Sequence, residues 1–448
     1  MLRRFAISCL LATLALPAAA RTRPHYGGTV RVKIEGDPWQ RPDGLPRRLI
    51  FDGLTTLDRD GTVRPALAVE WESESGDRRW QFRLRPGVHF HDGSPLTAVA
   101  VVASLAASCA ANCPWNAVHA VGPSIVITGD SPMPNLPSLL AGGQFLISLV
   151  LTADGKTANG AIGTGPFQLT GFNNGVLTLA ANENCWQGRP FADAVEIRVH
   201  RLVHDQWLDL GVGRADVVEV PAEQLRQAQE QRLTVAESSP ATLLALQIAD
   251  SGALANPTLR AAIALAVDRG ALFNVIFQKQ GEVTASLLPQ ALTGYSFLFA
   301  ADRDLNKAHQ MRGGLATPPL TLSADQGGAM QLAAQRIALN LREAGFNVQV
   351  VGTGTQHSDL MLRKLPLEGG EPAAALEALL RSAGQTPPVV EQTSAALFKA
   401  EREFLDQKTL IPLLYLPRAY SSSGRVRDLQ LFPDGTPDLA GVSLEDAP

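Results

Sequence analysis

Residues 51–97 read FDGLTTLDRDGTVRPALAVEWESESGDRRWQFRLRPGVHFHDGSPLT, a series of short strand signals punctuated by turns. Asp58-Arg59-Asp60-Gly61 and His91-Asp92-Gly93 each place a glycine where a tight turn needs positive φ, so each is expected to close a hairpin. Between them, Trp80-Gln81-Phe82-Arg83-Leu84 alternates apolar and polar residues, the period of a strand with one buried face. Outward from this run, residues 27–34 read as an opening strand, 97–110 as an Ala/Val/Leu-rich helix, and 163–199 as a second β-rich passage. Residues 206–213 read as a short helix and 216–220 as the strand after it. Further on, 259–277 and 329–344 carry the apolar spacing of helices, with Gly345 as C-cap before a strand at 347–351, and 410–415 is an apolar β-run. Alternating strand and helix signals of this kind give an α/β fold class.

A chain of 448 residues, 45% hydrophobic and 18% charged, has ample apolar material for two or three packed domains. Its first twenty residues differ from the rest. Arg3 and Arg4 precede an apolar stretch from Phe5 to Leu16 and the small residues Ala18-Ala19-Ala20, the layout of a secretory signal peptide cleaved after Ala20. The expected address is the periplasm. Against 43 acidic residues the 39 basic ones, fewer still after cleavage, leave a mildly acidic chain, which argues against a nucleic-acid partner. Export also sets the redox state of the three remaining cysteines. Cys109 and Cys113, in SCAANC before Pro114, are expected to form a short local disulfide; a metal pair is the rival, but zinc needs more ligands than lie nearby. Cys185 is left as a small buried hydrophobe.

Several passages, in order, resemble the family 5 extracytoplasmic solute-binding proteins, the receptors of ABC importers for peptides, nickel and related ligands. They are D-G-L at 52–54, R-P-A-L-A at 64–68, L-R-P-G-V-H-F-H-D-G at 84–93, Gly163-Thr164-Gly165-Pro166-Phe167, and Asn184-Cys185-Trp186 with Gly188 and Pro190. Gly213–Asp216, Leu259-Arg260 to Asp268-Arg269, and Ile411-Pro412-Leu413 with Tyr415 continue the series. The resemblance implies a two-lobed periplasmic-binding-protein fold (type II, large cluster) that closes like a hinge on its ligand, with an additional β-rich subdomain inserted in the first lobe. It divides the chain into a first lobe of residues 21–50, 160–240 and 409–448, an inserted subdomain at 51–159, and a second lobe at 241–408. The implied partners are a peptide or similar small solute and an inner-membrane ABC permease complex, with the receptor a monomer without cofactor or catalysis.

One position carries a residue-level expectation. Peptide-binding members have a passage like D-L-A-L-x-G-W-x-A-D-Y-x-D-P whose acidic residue after the Trp pairs with the ligand's α-ammonium. Residues 359–372, DLMLRKLPLEGGEP, align with it and put Glu368 at that position, with Leu365 in place of the Trp and Glu371 nearby. Lys364-Leu365 replaces Gly-Trp, and Pro366 has no N–H to offer. An exposed turn at Glu368-Gly369-Gly370-Glu371 is the alternative. Trp39, in the loop after the opening strand, and His357, just before the passage, complete the candidate ligand-binding set. His89-x-His91 and His200-x-x-x-His204 are read as structural, so no metal site is expected. No G-x-S-x-G, H-E-x-x-H or Walker motif is present, which weighs against a secreted hydrolase. A divergent peptide-binding chaperone or sensor subunit without a transport role is the other alternative.

Overall fold

The structure, a computed structural model, describes residues 25–36, 44–58, 61–108, 113–149, 161–315, 317–352, 358–391 and 393–445. Trp39, His357, Cys109 and the proposed signal peptide fall outside these residues. Cys113 is disulfide-bonded, and Cys185 is free and buried.

Two large sheets organise the chain. The first has seven strands in the order Thr234–Glu237, Ala419–Ser422, Val217–Val220, Thr29–Lys33, Ala194–Arg198, Val176–Ala181 and Phe167–Asn173. Its central strand, Thr29–Lys33, runs parallel to both neighbours, and Val30 and Val32 are buried, as a strand covered on its inner face requires. The second has six strands in the order Glu282–Val283, Leu410–Leu416, Thr242–Ile248, Leu360–Pro366, Leu320–Ala324 and Val348–Val350. Thr242–Ile248 shows why this sheet is two-sided: Leu244, Leu246 and Ile248 enter a core with helices Pro257–Ala266 and Gly328–Glu343. Leu243 and Ala245 enter another, with helices Pro372–Ser382 and Ser394–Asp406. The latter core is pinned by fully buried Glu401, which accepts hydrogen bonds from Ser286 Oγ (2.6 Å), Leu287 N (2.5 Å) and Tyr295 Oη (2.8 Å).

The opening run builds a separate four-stranded antiparallel sheet, ordered Ala68–Glu74, Arg79–Leu84, Ser124–Thr128 and Ala117–Val121 and covered by helix Ala98–Ser108. Trp80, Phe82 and Leu84 face inward, as their alternation predicts. Thr55–Leu57 pairs with Val63–Pro65 around Gly61, whose φ is +77°.

Two expectations need correction. The apolar strand Leu410–Leu416 does not belong with the first lobe; all seven residues are buried and it pairs antiparallel with Thr242–Ile248 of the second sheet. The return to the first sheet is made by Pro417 and Arg418, so the boundary drawn at 409 lies too early. The helical spacing over 259–277 is also interrupted. Val267 is extended, and Asp268 starts a new turn by accepting the Ala271 N–H at 2.8 Å.

The passages that announced the family are brought together by Asp52. Its buried carboxylate accepts from Thr164 Oγ1 (2.7 Å) and Trp186 Nε1 (2.8 Å), and its carbonyl accepts the Ile147 N–H at 2.8 Å. Beside it His91 is clamped, accepting the Gly163 N–H at Nδ1 (3.3 Å) and donating from Nε2 to the Gly165 carbonyl (3.0 Å). Gly163 and Gly165 are required because a Cβ on either would strike the Ile50 backbone. Burial pushes the Asp52 carboxyl up, against the opposing pull of its two hydrogen bonds. The native state therefore holds a proton that the unfolded chain releases near pH 4, so this group costs stability as pH rises from about 4 through its raised native value. The expected outcome is that the stability of wild type relative to Asp52→Asn falls as pH rises across that window, read from urea denaturation of both proteins. Asp52→Ala, which leaves the buried Thr164 hydroxyl and the half-buried Trp186 N–H without an acceptor, is expected to cost about 2 kcal/mol.

Candidate functional site

Between the two sheets lies a cleft of about 900 Å³. At its back Pro417 and Arg418 line the cleft, where two segments, 238–241 and 417–418, cross between the lobes side by side. These are tied by Ser238 N to the Arg418 carbonyl (2.9 Å), Arg418 N to Ser238 Oγ (3.0 Å) and Ala241 N to the Leu416 carbonyl (3.2 Å). Arg418 also donates from Nη1 to the Asp434 carbonyl at 3.2 Å, anchoring the crossing to the C-terminal segment.

The first-lobe wall carries carboxylates. Glu35 follows the central strand, while Glu219 and Glu223 follow from the neighbouring strand Val217–Val220 and the turn after it. The Glu35 N–H donates to Glu219 Oε2 at 2.6 Å. Burial, then Glu219 and Glu223, raise the Glu35 carboxyl above its ordinary value, and Lys364 across the cleft opposes that shift. Among the described residues none of the three carboxylates forms an ion pair.

The second-lobe wall is built by strand Leu360–Pro366. Its first half pairs on both sides, with Thr242–Ile248 and Leu320–Ala324, but from Arg363 onward only the Thr242–Ile248 side is paired within the sheet. On the open edge the Lys364 N–H is taken by Asp325 Oδ2 at 2.8 Å, and Pro366 has no N–H. Arg363, Lys364 and Arg381 line this wall.

The candidates from sequence separate here. Glu368 lines the cleft and Leu365 borders it with its side chain fully buried in the core with Leu243 and Tyr415, whereas Glu371 stands at the N-terminus of helix Pro372–Ser382 and lies outside the lining. Glu368 stands at the far edge, where the lobes touch: a Cβ on Gly142 of the inserted subdomain would sit 2.7 Å from its Oε2. Asn135 Nδ2 donates to Glu377 Oε2 at 3.4 Å along the same edge, and Gly61 meets Gly370 backbone to backbone. Trp186 and Trp207 are structural, Trp207 donating from Nε1 to the Glu219 carbonyl at 3.1 Å. Among the described residues no group of three or more His, Cys, Asp or Glu is arranged to hold a metal ion. Glu35, Glu219, Arg363 and Lys364 escaped the sequence reading. Lys364 had a signal, since it replaces a glycine; the others had none until the topology set them around one space.

The model of the bacterial extracellular solute-binding proteins, family 5 middle region, matches residues 62–392, well over half of the chain. The chain belongs to this family. A probable di/tripeptide-binding protein of Pseudomonas aeruginosa is 24% identical, covering 99% of this chain and 100% of that protein. That alignment runs to 531 positions against 448 residues, so the relative carries stretches that this chain lacks. An uncharacterized protein of Bacillus subtilis, YhjP, is 38% identical over 173 residues, 36% of this chain and only 29% of YhjP. Among solved structures, the periplasmic binding protein DppA of Helicobacter pylori, in complex with the peptide STSA, superposes with a TM-score of 0.80 at 17% identity. It covers 94% of this chain and 99% of that one. The fold is the two-lobed fold of family 5 periplasmic binding proteins.

Gly370 gives a direct handle on closure. Its φ is not left-handed, so alanine suits its own backbone, yet the new Cβ would overlap the Gly61 carbonyl oxygen across the cleft. Gly370→Ala is expected to hold the lobes apart. In small-angle X-ray scattering its radius of gyration should exceed that of wild type at an unchanged melting temperature; equal radii would refute the contact.

Proposed function

We propose that this chain is the extracytoplasmic receptor of an ABC importer, closing its two lobes on a peptide or similar small solute and presenting it to a membrane permease. The observation that carries this reading is the cleft of about 900 Å³ walled by both lobes, hinged at its back by two crossing segments and closed at its far edge by lobe-to-lobe contacts. A space of that size suits a short peptide. The family's extracellular description and the peptide-binding relatives support the same reading. So does the N-terminal signal-peptide pattern, and no helix among the described residues is long and apolar enough to cross a membrane. No catalytic step is proposed. Glu368 is assigned to the ligand's ammonium at the far edge, while Leu365, fully buried in the core behind the wall, supports the strand rather than the ligand.

The test is native mass spectrometry of the full chain purified from periplasm, with a co-purified small solute as the expected result. Peptide pools should raise the melting temperature, since ligand at a hundredfold excess over Kd stabilises by about 2.7 kcal/mol. No bound solute and no thermal shift would remove the receptor reading. For Glu368, the Gln variant should weaken peptides with a free amine and spare their N-acetylated forms; equal effects would assign Glu368 to the lobe contact alone.

A further inference from the structure

The first-lobe wall carries Glu35, Glu219 and Glu223, the second-lobe wall Arg363 and Lys364 beside Asp325 and Glu368, and resting on the receptor reading above, we propose that Arg363 forms a subsite for an anionic group of the ligand. Glu35 and Glu219 face a basic group of the same molecule. The favoured ligand is thus a dipolar solute, such as a peptide with a basic side chain and a free carboxylate, lying across the cleft.

Arg363 is the built part of this subsite. Its Nη1 donates to Gln247 Oε1 at 2.9 Å and its Nη2 to the Ser382 carbonyl at 3.1 Å. Both acceptors are neutral, and Gln247 is itself held by donating to the Ala383 carbonyl at 3.0 Å. The guanidinium is therefore fixed at the cleft wall with its charge uncompensated, since it forms no ion pair among the described residues. A planar, pre-oriented guanidinium of this kind suits a carboxylate.

Lys364 sets a second positive charge on the same wall, where the resembled pattern has a glycine, with its side chain on the opposite face of the strand from Arg363. Its Nζ lies near Gly327, 3.5 Å from where a Cβ would stand, and its charge reaches Glu35 on the opposite wall. Main-chain recognition is curtailed at the same place. The open edge of the strand has one N–H already given to Asp325 and a proline in the next donor position, so side-chain charge is left to discriminate. Across the cleft, the Glu219 carboxylate accepts the Glu35 backbone N–H, and neither carboxylate forms an ion pair among the described residues. A basic group there would relieve their mutual repulsion.

Isothermal titration of the full chain with three tripeptides tests this: Ala-Lys-Ala, its C-terminal amide, and Ala-Leu-Ala. Wild type should bind Ala-Lys-Ala at least tenfold more tightly than either of the other two. Arg363→Gln should erase the preference for acid over amide and keep the preference for Lys over Leu, Arg363→Lys should partly restore the former, and Glu35→Gln should do the converse of Arg363→Gln. Should Arg363→Gln not fold, Arg363→Met, which keeps the apolar stem of the side chain, reads the same acid-over-amide preference. Equal binding of acid and amide by wild type, or equal loss for both in Arg363→Gln, overturns the subsite while leaving the receptor reading intact. Failure of all three peptides and of peptide pools to bind overturns both.

Discussion

A buried carboxylate, that of Asp52, is the constraint on which the first lobe depends. It is the point where the inserted subdomain, the Gly163–Phe167 loop and Trp186 are joined, and none of these can move without leaving a buried donor or a buried charge unanswered. His91 repeats the arrangement against the same Gly163–Phe167 loop. Burial lowers its pKa, and the neutral imidazole, accepting at Nδ1 and donating at Nε2, is the form that fits between Gly163 and Gly165. Arg85 adds a third element by lying over the Trp186 ring at 4.6 Å. The motifs of the opening run are therefore parts of one joint rather than parts of a pocket.

The same logic holds in the rest of the chain. Asp216, from the Gly213–Asp216 passage, is fully buried and receives the Arg31 N–H and Nε (each 2.9 Å) and Nη2 (3.0 Å), binding the central strand to the start of Val217–Val220, while its carbonyl accepts the Ser423 N–H at 2.9 Å. Arg260 donates to the Gln407 and Leu254 carbonyls at 2.8 and 2.7 Å, and Arg269 to the Pro412 carbonyl at 2.9 Å. Burial lowers Arg269 to about 10, still far above neutrality, so it stays charged while tying helix to sheet. Each motif places a charged side chain against main chain that only one topology brings near. That is why such residues specify a fold, and why they say nothing about what the fold holds.

This division explains what could be read from residues alone. The alternation at Trp80–Leu84 and the glycines of the hairpins are local signals, and local rules decided them. Leu410–Leu416 was assigned to the wrong lobe because an apolar run states that it is buried, not against which sheet; that is fixed by hydrogen bonding to Thr242–Ile248, far away in sequence. Glu35 and Arg363 were invisible for a related reason. A lone charged residue near a strand end resembles any surface charge until a second wall faces it. Glu368 was singled out through resemblance, and the structure places it on the cleft lining beside Gly142, where the lobes meet.

The cleft wall can differ in charge from one chain to another because its side chains are not the joints. In Leu360–Pro366 the Met361, Arg363 and Leu365 positions direct their main chain toward Thr242–Ile248, which fixes the strand whatever side chains it bears. The opposite edge loses its pairing strand beyond Leu362, and there Asp325 and Pro366 remove the two donors an extended ligand would otherwise meet. An edge without free donors cannot rely on main-chain pairing to hold a peptide, so affinity must come from groups that project into the space. Opposite charges on the two walls have a second effect, since Lys364 and Glu35 attract across the cleft and favour closure. A dipolar ligand inserted between them replaces that single long-range attraction with two short ones, which couples closure to the ligand's charge as well as to its size.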